Sequence, residues 1–355
     1  MDFDKILRRL RGYGGKIKIM EVCGTHTSSV FKHGLRSMIA GGVRLVSGPG
    51  CPVCVTPAED VDALAGLSFV STVCCYGDMF RVPGGALSLA DAKARGGSVR
   101  LIYSAFDALR FAKKEPSVEF VVAGVGFETT APVYAALIDE LINEKISNVS
   151  LYAAMKTIPE AIGLICRGED VDAFICPGHV AAVIGSAAFE ELRARYEKPF
   201  VIAGFGAEHI LLAIYEIIRQ KEAGESSVAN FYPSVVSRNG QTKALAEINK
   251  YFEKTDSYWR GIGEIENSGY RLRDEYAHLS ADRVARAARK NLSAGFDAAI
   301  TREVKRDEGC RCADVLLGRI TPDMCELFGS ACTPANPAGA CMVTSEGACG
   351  VYYEN

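Results

Sequence analysis

Eight short runs rich in Val, Ile and other apolar residues alternate with longer amphipathic stretches through roughly the first two thirds of the chain. Most of these runs are apolar at every position, which is typical of parallel strands covered by helices on both faces. The predicted strands are residues 17–22, 43–47, 69–74, 99–103, 120–124, 149–154, 173–176 and 200–204. Their alternation with helices predicts an α/β fold with mainly parallel sheets flanked by helices.

Two of the predicted strands have closely similar sequences. Residues 120–128 read FVVAGVGFE and residues 200–208 read FVIAGFGAE, each a buried strand, a Gly-x-Gly turn and a helix start. They could be equivalent parts of two sheets or two strands of one sheet. We expect two α/β lobes, residues 1–115 and 116–235, followed by a helical and irregular C-terminal domain, residues 236–355.

The composition excludes several classes of protein. The chain has 355 residues, with 40 Lys and Arg against 43 Asp and Glu, for a formal charge of −3. Nucleic acid is not expected as the main partner, because phosphate binding requires a basic face. The sequence has no run of 18 apolar residues and no signal peptide, so we expect no membrane span and a cytoplasmic protein.

Cysteine is the unusual residue. The 13 cysteines are too few for a disulfide scaffold, and a reducing cytosol favours metal, cluster or redox chemistry for them. Soft thiolate ligands suit an iron–sulfur cluster or zinc, and six cysteines crowd a Gly- and Pro-rich tail. They are Cys310, Cys312, Cys325, Cys332, Cys341 and Cys349. We expect this tail to need a bound inorganic centre to hold its shape.

Cys23 follows the first predicted strand and precedes a helix, in residues 21–27 (EVCGTHT). Ligands gather at the carboxyl ends of the strands in open α/β sheets. A helix N-terminus makes a thiol more acidic, and His26 could orient the thiol or acidify it further. The alternative is a buried cysteine in a tight glycine turn.

Cys51 and Cys54 lie in residues 48–54 (GPGCPVC), directly after the second predicted strand. Such a Cys-x-x-Cys pair is a redox dithiol, half of a metal site or a structural turn. The spacing is short enough for a disulfide, and no second Cys or His pair with zinc-finger spacing follows nearby. We favour the redox dithiol.

Two further polar segments follow predicted strands. Glu128, in residues 126–130 (GFETT), could cap a helix, act as a general acid or base, or anchor the dithiol loop. His179, in residues 177–180 (PGHV), could be a proton shuttle, a metal donor, a substrate clamp or a helix cap. The third glycine of a dinucleotide fingerprint is missing after Gly126, and no phosphate-binding loop motif is present, so neither site is expected.

These five segments, in this order, resemble the HypD family, the maturation proteins for the iron centre of [NiFe]-hydrogenases, over nearly the whole chain. The resemblance implies a scaffold on which an Fe(CN)2(CO) group is assembled with the small chaperone HypC. Cyanide would come from HypE, charged by HypF. Carried over to this sequence, Cys23 binds the iron together with a cysteine of HypC, Cys51 and Cys54 are the redox pair, and Glu128 and His179 line the same cleft.

The resemblance also implies the ligands of a [4Fe-4S] cluster in the tail. The family's cysteine spacing falls on Cys312, Cys325, Cys332 and Cys349. Cys310 is an alternative to Cys312, and Cys341 is left over. We expect electrons to pass from this cluster through the Cys51 and Cys54 pair to ligand chemistry at Cys23, because a dithiol supplies two electrons and a cluster relays them singly.

Two other functions fit the same residues. One is a free-standing oxidoreductase whose cluster and dithiol act on a disulfide substrate without a partner. The other is a zinc-stabilised α/β binding protein with no redox role. The aromatic segments at residues 258–260 and 268–270 could form a partner surface or pack in the core.

Overall fold

The computed structural model describes residues 3–168, 170–291 and 309–355. The strands are β1 Ile17–Glu21, β2 Val43–Ser47, β3 Thr72–Cys75, β4 Ser98–Leu101, β5 Phe120–Gly126, β6 Val149–Met155, β7 Ala173–Pro177, β8 Phe200–Ala203, β9 Val228–Asn230, β10 Phe252–Trp259 and β11 Gly263–Leu272. The α-helices are α1 Phe3–Arg11, α2 Gly24–Lys32, α3 Leu35–Met38, α4 Ala58–Leu67, α5 Leu89–Ala94, α6 Phe106–Lys114, α7 Ala131–Asn143, α8 Ile158–Cys166, α9 Gly178–Ile184, α10 Glu190–Tyr196, α11 Ala207–Ala223, α12 Thr242–Tyr251, α13 Asp282–Asn291, α14 Cys312–Leu316 and α15 Ala348–Glu354.

Two parallel sheets with helices packed against them form the α/β fold that the sequence predicts. Sheet A has the order β2-β1-β7-β8-β9, and sheet B has the order β4-β3-β5-β6. Every strand pairing within these two sheets is parallel. All eight predicted strands are present, with ends that differ by three residues or fewer, because strands buried on both faces are apolar along their whole length.

The sheets do not follow the expected lobe boundary at residue 115. β1 and β2 join sheet A with β7, β8 and β9, whereas β3 and β4 join sheet B with β5 and β6. The chain therefore builds one edge of sheet A, crosses to build sheet B and then returns. β1 is an interior strand that needs neighbours on both sides, and β7 supplies the second one. The similar segments at residues 120–128 and 200–208 begin with β5 and β8, which belong to two different sheets.

An antiparallel hairpin, β10 and β11, was not predicted as strands and packs against the end of β6. The Lys156 ammonium is almost fully buried and donates hydrogen bonds to Ser257 Oγ (2.7 Å) and to the Tyr258 carbonyl (2.8 Å). Trp259 is fully buried, and Tyr258 is 54% exposed. The first aromatic segment is therefore divided between the core and the surface, and the Arg260 N–H reaches the Val55 carbonyl (2.9 Å) beside the Cys-x-x-Cys loop.

The described part of the tail, residues 309–355, has few regular elements besides α14 and α15. It adds single 3-10 turns at Pro322–Met324 and Ala340–Met342. Its last helix docks on α2 through Phe31 and Tyr352, whose rings meet edge to face at 4.4 Å. Residues 292–308 of the expected C-terminal domain lie outside the described residues. Within the described residues, no helix combines the length and the apolar character needed to cross a membrane.

Candidate functional site

Cys23 lies just beyond the carboxyl end of β1 and is the N-cap residue of α2. Its carbonyl accepts the first helical hydrogen bond from the Thr27 N–H (3.1 Å), and its side chain is partly exposed. Burial raises the pKa of the Cys23 thiol, although hydrogen bonds from the backbone N–H groups of His26 and Thr25 act in the opposite direction. The acidification expected from the helix N-terminus is therefore not found, because desolvation of the thiolate outweighs it.

The loop that carries Cys51 and Cys54 lies directly against Cys23. A Cβ atom on Gly50 would stand 2.3 Å from the Cys23 nitrogen and 2.5 Å from its Cα, so only glycine allows this approach. The cause is the parallel pairing of β1 with β2, in which Glu21 is opposite Ser47 and both chains leave the sheet at the same edge. The structure thus brings the two cysteine motifs together.

Cys51 and Cys54 are joined in a disulfide with a Cα–Cα distance of 5.3 Å, and both residues are buried. The loop between them is held by a bond from the Thr56 hydroxyl to the Pro52 carbonyl (2.9 Å). The tail covers the pair, because Cys51 Sγ lies 4.0 Å from Thr344 Oγ1 and Cys54 Sγ lies 3.9 Å from the Ala340 carbonyl oxygen. A disulfide at this position agrees with the spacing, while its redox role stays a prediction.

A turn of the tail also reaches the start of α2. The Glu346 N–H donates to Thr344 Oγ1 (2.9 Å), and the Thr25 hydroxyl donates to Glu346 Oε1 (3.4 Å). A Cβ atom on Gly24 would stand 2.1 Å from the Glu346 carbonyl oxygen, so the two main chains touch. Sequence reasoning missed Glu346, because the only signal was its position between Cys341 and Cys349.

His26 is fully buried and does not face the Cys23 thiol. Its Nε2 lies 3.1 Å from the Gly204 carbonyl oxygen, and burial lowers its pKa to about 4, so the ring is neutral near pH 7 and donates through Nε2. Its ring packs on Phe205 (4.9 Å between centroids), and Phe205 packs on the exposed ring of His179 (4.3 Å). His26 therefore ties α2 to the loop after β8, and the Phe205 ring links it to His179.

Glu128 follows β5 in sheet B, whereas His179 follows β7 in sheet A. Glu128 Oε1 accepts a hydrogen bond from the Ile158 N–H (2.9 Å) at the start of α8. Oε2 is buried and has no hydrogen-bond partner among the described residues. Burial raises the pKa of Glu128 to about 8, so the group is a neutral acid near pH 7. Glu128 thus bonds to the first turn of α8 and not to α7, the helix that follows it in the chain, and a cleft shared with His179 stays a prediction.

Four free thiols line one pocket in the tail, together with apolar side chains such as Val315 and Phe328. They belong to Cys310, Cys325, Cys332 and Cys349. Burial, together with the charge repulsion from the thiolates of Cys332, Cys310 and Cys325, raises the pKa of Cys349 to about 12. The Ala338 N–H donates to Cys332 Sγ (3.3 Å). Four sulfur donors with an N–H···S bond in an apolar setting are the donor set of an iron–sulfur cluster, so the residues fit one.

Cys312, the first ligand that the family spacing implies, is joined instead to Cys341 in a disulfide with a Cα–Cα distance of 6.4 Å. Both cysteines of this disulfide line the same pocket as the four free thiols, so the choice between Cys310 and Cys312 as the first ligand stays a prediction. A Cβ atom at Gly339 would stand 2.7 Å from Cys310 Sγ, so the absence of a side chain at Gly339 leaves room for that thiol. Among the described residues, no group of three or more His, Cys, Asp or Glu side chains is arranged to hold a single metal ion, so the pocket fits a cluster by the kind of donors that line it and not by a preformed coordination site.

A fold of two parallel sheets, with cysteine motifs at one sheet edge and a cysteine-rich tail across them, can be compared with known proteins. Residues 3–355 match a family model described as HypD, hydrogenase formation hypA family. The chain therefore belongs to the HypD family of hydrogenase formation proteins.

Individual relatives agree over most of their length. The chain is 40% identical over 343 residues to the hydrogenase maturation factor HypD of Rhodobacter capsulatus, covering 95% of this chain and 89% of that protein. It is 38% identical over 352 residues to HypD of Cupriavidus necator, covering 96% and 90%. It is 39% identical over 346 residues to HypD of Rhizobium leguminosarum, covering 94% and 87%.

Proposed function

We propose that this chain acts in hydrogenase maturation as the scaffold on which the Fe(CN)2(CO) group of [NiFe]-hydrogenase is assembled, with Cys23 as the thiolate that holds the iron. The observation that carries the proposal is the contact between Gly50 and Cys23, which sets a free thiol beside a Cys-x-x-Cys disulfide. Family membership over residues 3–355 supports it. HypC would share the iron, HypE would deliver cyanide, and HypF would act upstream.

Cys23 suits the capture of iron rather than attack as a bare nucleophile. Its thiol stays protonated near pH 7 because burial raises its pKa, so it is poorly reactive in the absence of a cation. An iron ion replaces the thiol proton, and one proton is released for each iron bound. Iron that carries cyanide and CO is a soft centre, for which thiolate is the preferred protein ligand.

The Cys51 and Cys54 pair has the chemistry to release cyanide from a thiocyanate. Two thiols are oxidised to the disulfide, and their two electrons and two protons convert a thiocyanate R–S–CN into the thiol R–SH and HCN. A disulfide between Cys51 and Cys54, as in this structure, is the form that the reaction would leave behind. Both cysteines are 3% exposed or less and are covered by the tail, so a thiocyanate and a disulfide substrate meet the same barrier at this pair.

The four free thiols of the tail are proposed to hold a [4Fe-4S] cluster. Cys310 is favoured over Cys312 as the first of them, since Cys312 is bonded to Cys341. The other three are Cys325, Cys332 and Cys349. A cluster of this kind, when bound, supplies electrons one at a time. Cys332 and Cys349 are buried, which keeps water from their sulfurs, and the Ala338 N–H stabilises the Cys332 thiolate.

Complementation tests the proposed function. A strain that lacks its own HypD protein is supplied with this chain, with the Cys23→Ser variant or with a Cys166→Ser variant, which changes a buried free cysteine on α8. We expect wild type and Cys166→Ser to restore hydrogenase activity and Cys23→Ser to leave it at background. Full activity with Cys23→Ser would show that this thiol does not hold the iron.

A further inference from the structure

A carboxylate from the tail lies beside Cys23, and nothing in the function proposed above uses it. Glu346 is exposed, yet two contacts fix it: the Thr25 hydroxyl donates to its Oε1 (3.4 Å), and its carbonyl oxygen packs against Gly24. Both partners come directly after Cys23 in the chain. The carboxylate is therefore held at the first turn of α2, which begins directly after the partly exposed Cys23.

The same turn also contacts the disulfide. Glu346 donates its backbone N–H to Thr344 Oγ1 (2.9 Å), and that hydroxyl lies 4.0 Å from Cys51 Sγ. One short segment of the tail thus spans the distance from Cys51 to the residues after Cys23. Its position depends on the folding of the cysteine-rich tail, since Cys341 and Cys349 flank it.

Glu346 places a negative charge near the Cys23 thiol, because it contacts both Gly24 and Thr25, the two residues that follow Cys23. A negative charge beside a thiol opposes the bare thiolate, because like charges repel, but it favours a thiolate that carries a divalent cation. Carboxylate oxygen also binds ferrous iron in proteins, as in sites of two histidines and one carboxylate, so it suits the ion before cyanide and CO are added.

We propose that Glu346 is a second residue of the iron-loading site, whose carboxylate balances the charge of a ferrous ion bound at the Cys23 thiolate. The inference rests on the proposed function and adds a residue to it. On loading, Fe²⁺ replaces the Cys23 thiol proton, which is released to solvent, while the Glu346 carboxylate stays ionised and no electron is transferred. Because the tail carries this residue, a folded tail is required for full iron affinity at Cys23.

Anaerobic titration with Co²⁺, a spectroscopic stand-in for Fe²⁺, tests the inference on the full chain with its cluster loaded. Reductant is left out so that Cys51 and Cys54 stay in their disulfide. The readout is the thiolate-to-cobalt charge-transfer band that is lost in Cys23→Ser. We expect Glu346→Gln to weaken binding about tenfold, as about 1.4 kcal/mol corresponds to a factor of ten. The matched control, Glu354→Gln, removes the same charge from the exposed end of α15 and should bind as wild type does.

Thr25→Val gives a second route to the same answer, because it releases the carboxylate without changing the tail. We expect Thr25→Val also to weaken cobalt binding. If Glu346→Gln lowers the cluster absorbance, its weaker binding has two explanations, and the result with Thr25→Val then decides whether Glu346 belongs to the iron-loading site. Wild-type affinity for Co²⁺ in both variants would overturn the role of Glu346 and leave the proposed function standing. An unchanged charge-transfer band in Cys23→Ser would instead overturn the proposed function.

Discussion

The main chain of Gly50 lies against the main chain of Cys23 so closely that no side chain fits between them. This contact follows from sheet A, where β1 and β2 run parallel and end at the same edge. The free thiol of one motif and the disulfide of the other are therefore neighbours, although about 30 residues of chain separate them. All of the chemistry proposed for this protein depends on that proximity.

Replacing Gly50 tests the contact itself. Gly50→Ala would place a methyl group 2.3 Å from a backbone nitrogen, which cannot move as the end of a side chain can. We expect a loss of about 1–3 kcal/mol in the free energy of unfolding, measured by urea denaturation. Gly77→Ala is the matched control, because a Cβ atom there meets nothing within 4 Å, and it should change stability by less than about 0.5 kcal/mol. Equal stability of the two variants would mean that the loop does not lie against Cys23.

The choice between Cys310 and Cys312 can be made by mutation. With the cluster reconstituted anaerobically, we expect Cys310→Ala and Cys325→Ala to lose the brown absorbance, because each removes one of the four free thiols. Cys312→Ala should keep it, since that cysteine is bonded to Cys341. Far-ultraviolet circular dichroism should show that the α/β sheets remain folded in all three variants.

The opposite pattern, with absorbance lost only in Cys312→Ala, would restore the assignment based on the family spacing. Metal analysis of the same samples tests the remaining alternative, a protein that zinc stabilises. Stoichiometric zinc without iron or sulfide in the wild-type protein would contradict a cluster of any ligand set.

Glu128 gives a prediction about pH. Burial raises its pKa from 4.5 to about 8, so between these values the folded protein holds a proton that the unfolded chain has released. Stability therefore falls as the pH rises from about 4.5 to 8 and levels off above that range. Glu128→Gln removes this dependence, and its stability relative to wild type should improve by up to roughly 4 kcal/mol between pH 5 and pH 9.

Urea denaturation of both proteins across this range measures the effect. Glu21, whose pKa burial raises to about 7, contributes to the slope in both proteins, so the difference between them isolates Glu128. A difference that does not change with pH would show that Glu128 is ionised in the folded protein.

The strands could be predicted because burial on both faces leaves an apolar run that is visible in the sequence. Their distribution between two sheets could not, since periodicity reports which faces are buried and not which strands are neighbours. For this reason the two sheets do not follow the boundary expected at residue 115. β1 pairs with β7, which lies more than 150 residues further along the chain.

The cysteine motifs could be recognised from the sequence, but which cysteines of the tail meet each other could not be predicted. Cys310 and Cys312 are two residues apart and have similar surroundings in the sequence, and only the folded tail shows that Cys312 meets Cys341. The burial of Cys23, which prevents the expected acidification of its thiol, is likewise a property of the packed structure. Glu346 carries no sequence signal of its own, because its contact with Gly24 joins residues more than 300 positions apart.

Infrared spectroscopy of the complex that we propose with HypC tests most directly whether Cys23 holds the iron. The wild-type chain, purified anaerobically with HypC after expression with the other maturation proteins, should show the stretching bands of iron-bound cyanide and CO. Cys23→Ala should lack these bands and retain the cluster absorbance, because the four thiols of the tail are unchanged. Cyanide and CO bands of wild-type intensity in Cys23→Ala would contradict the account.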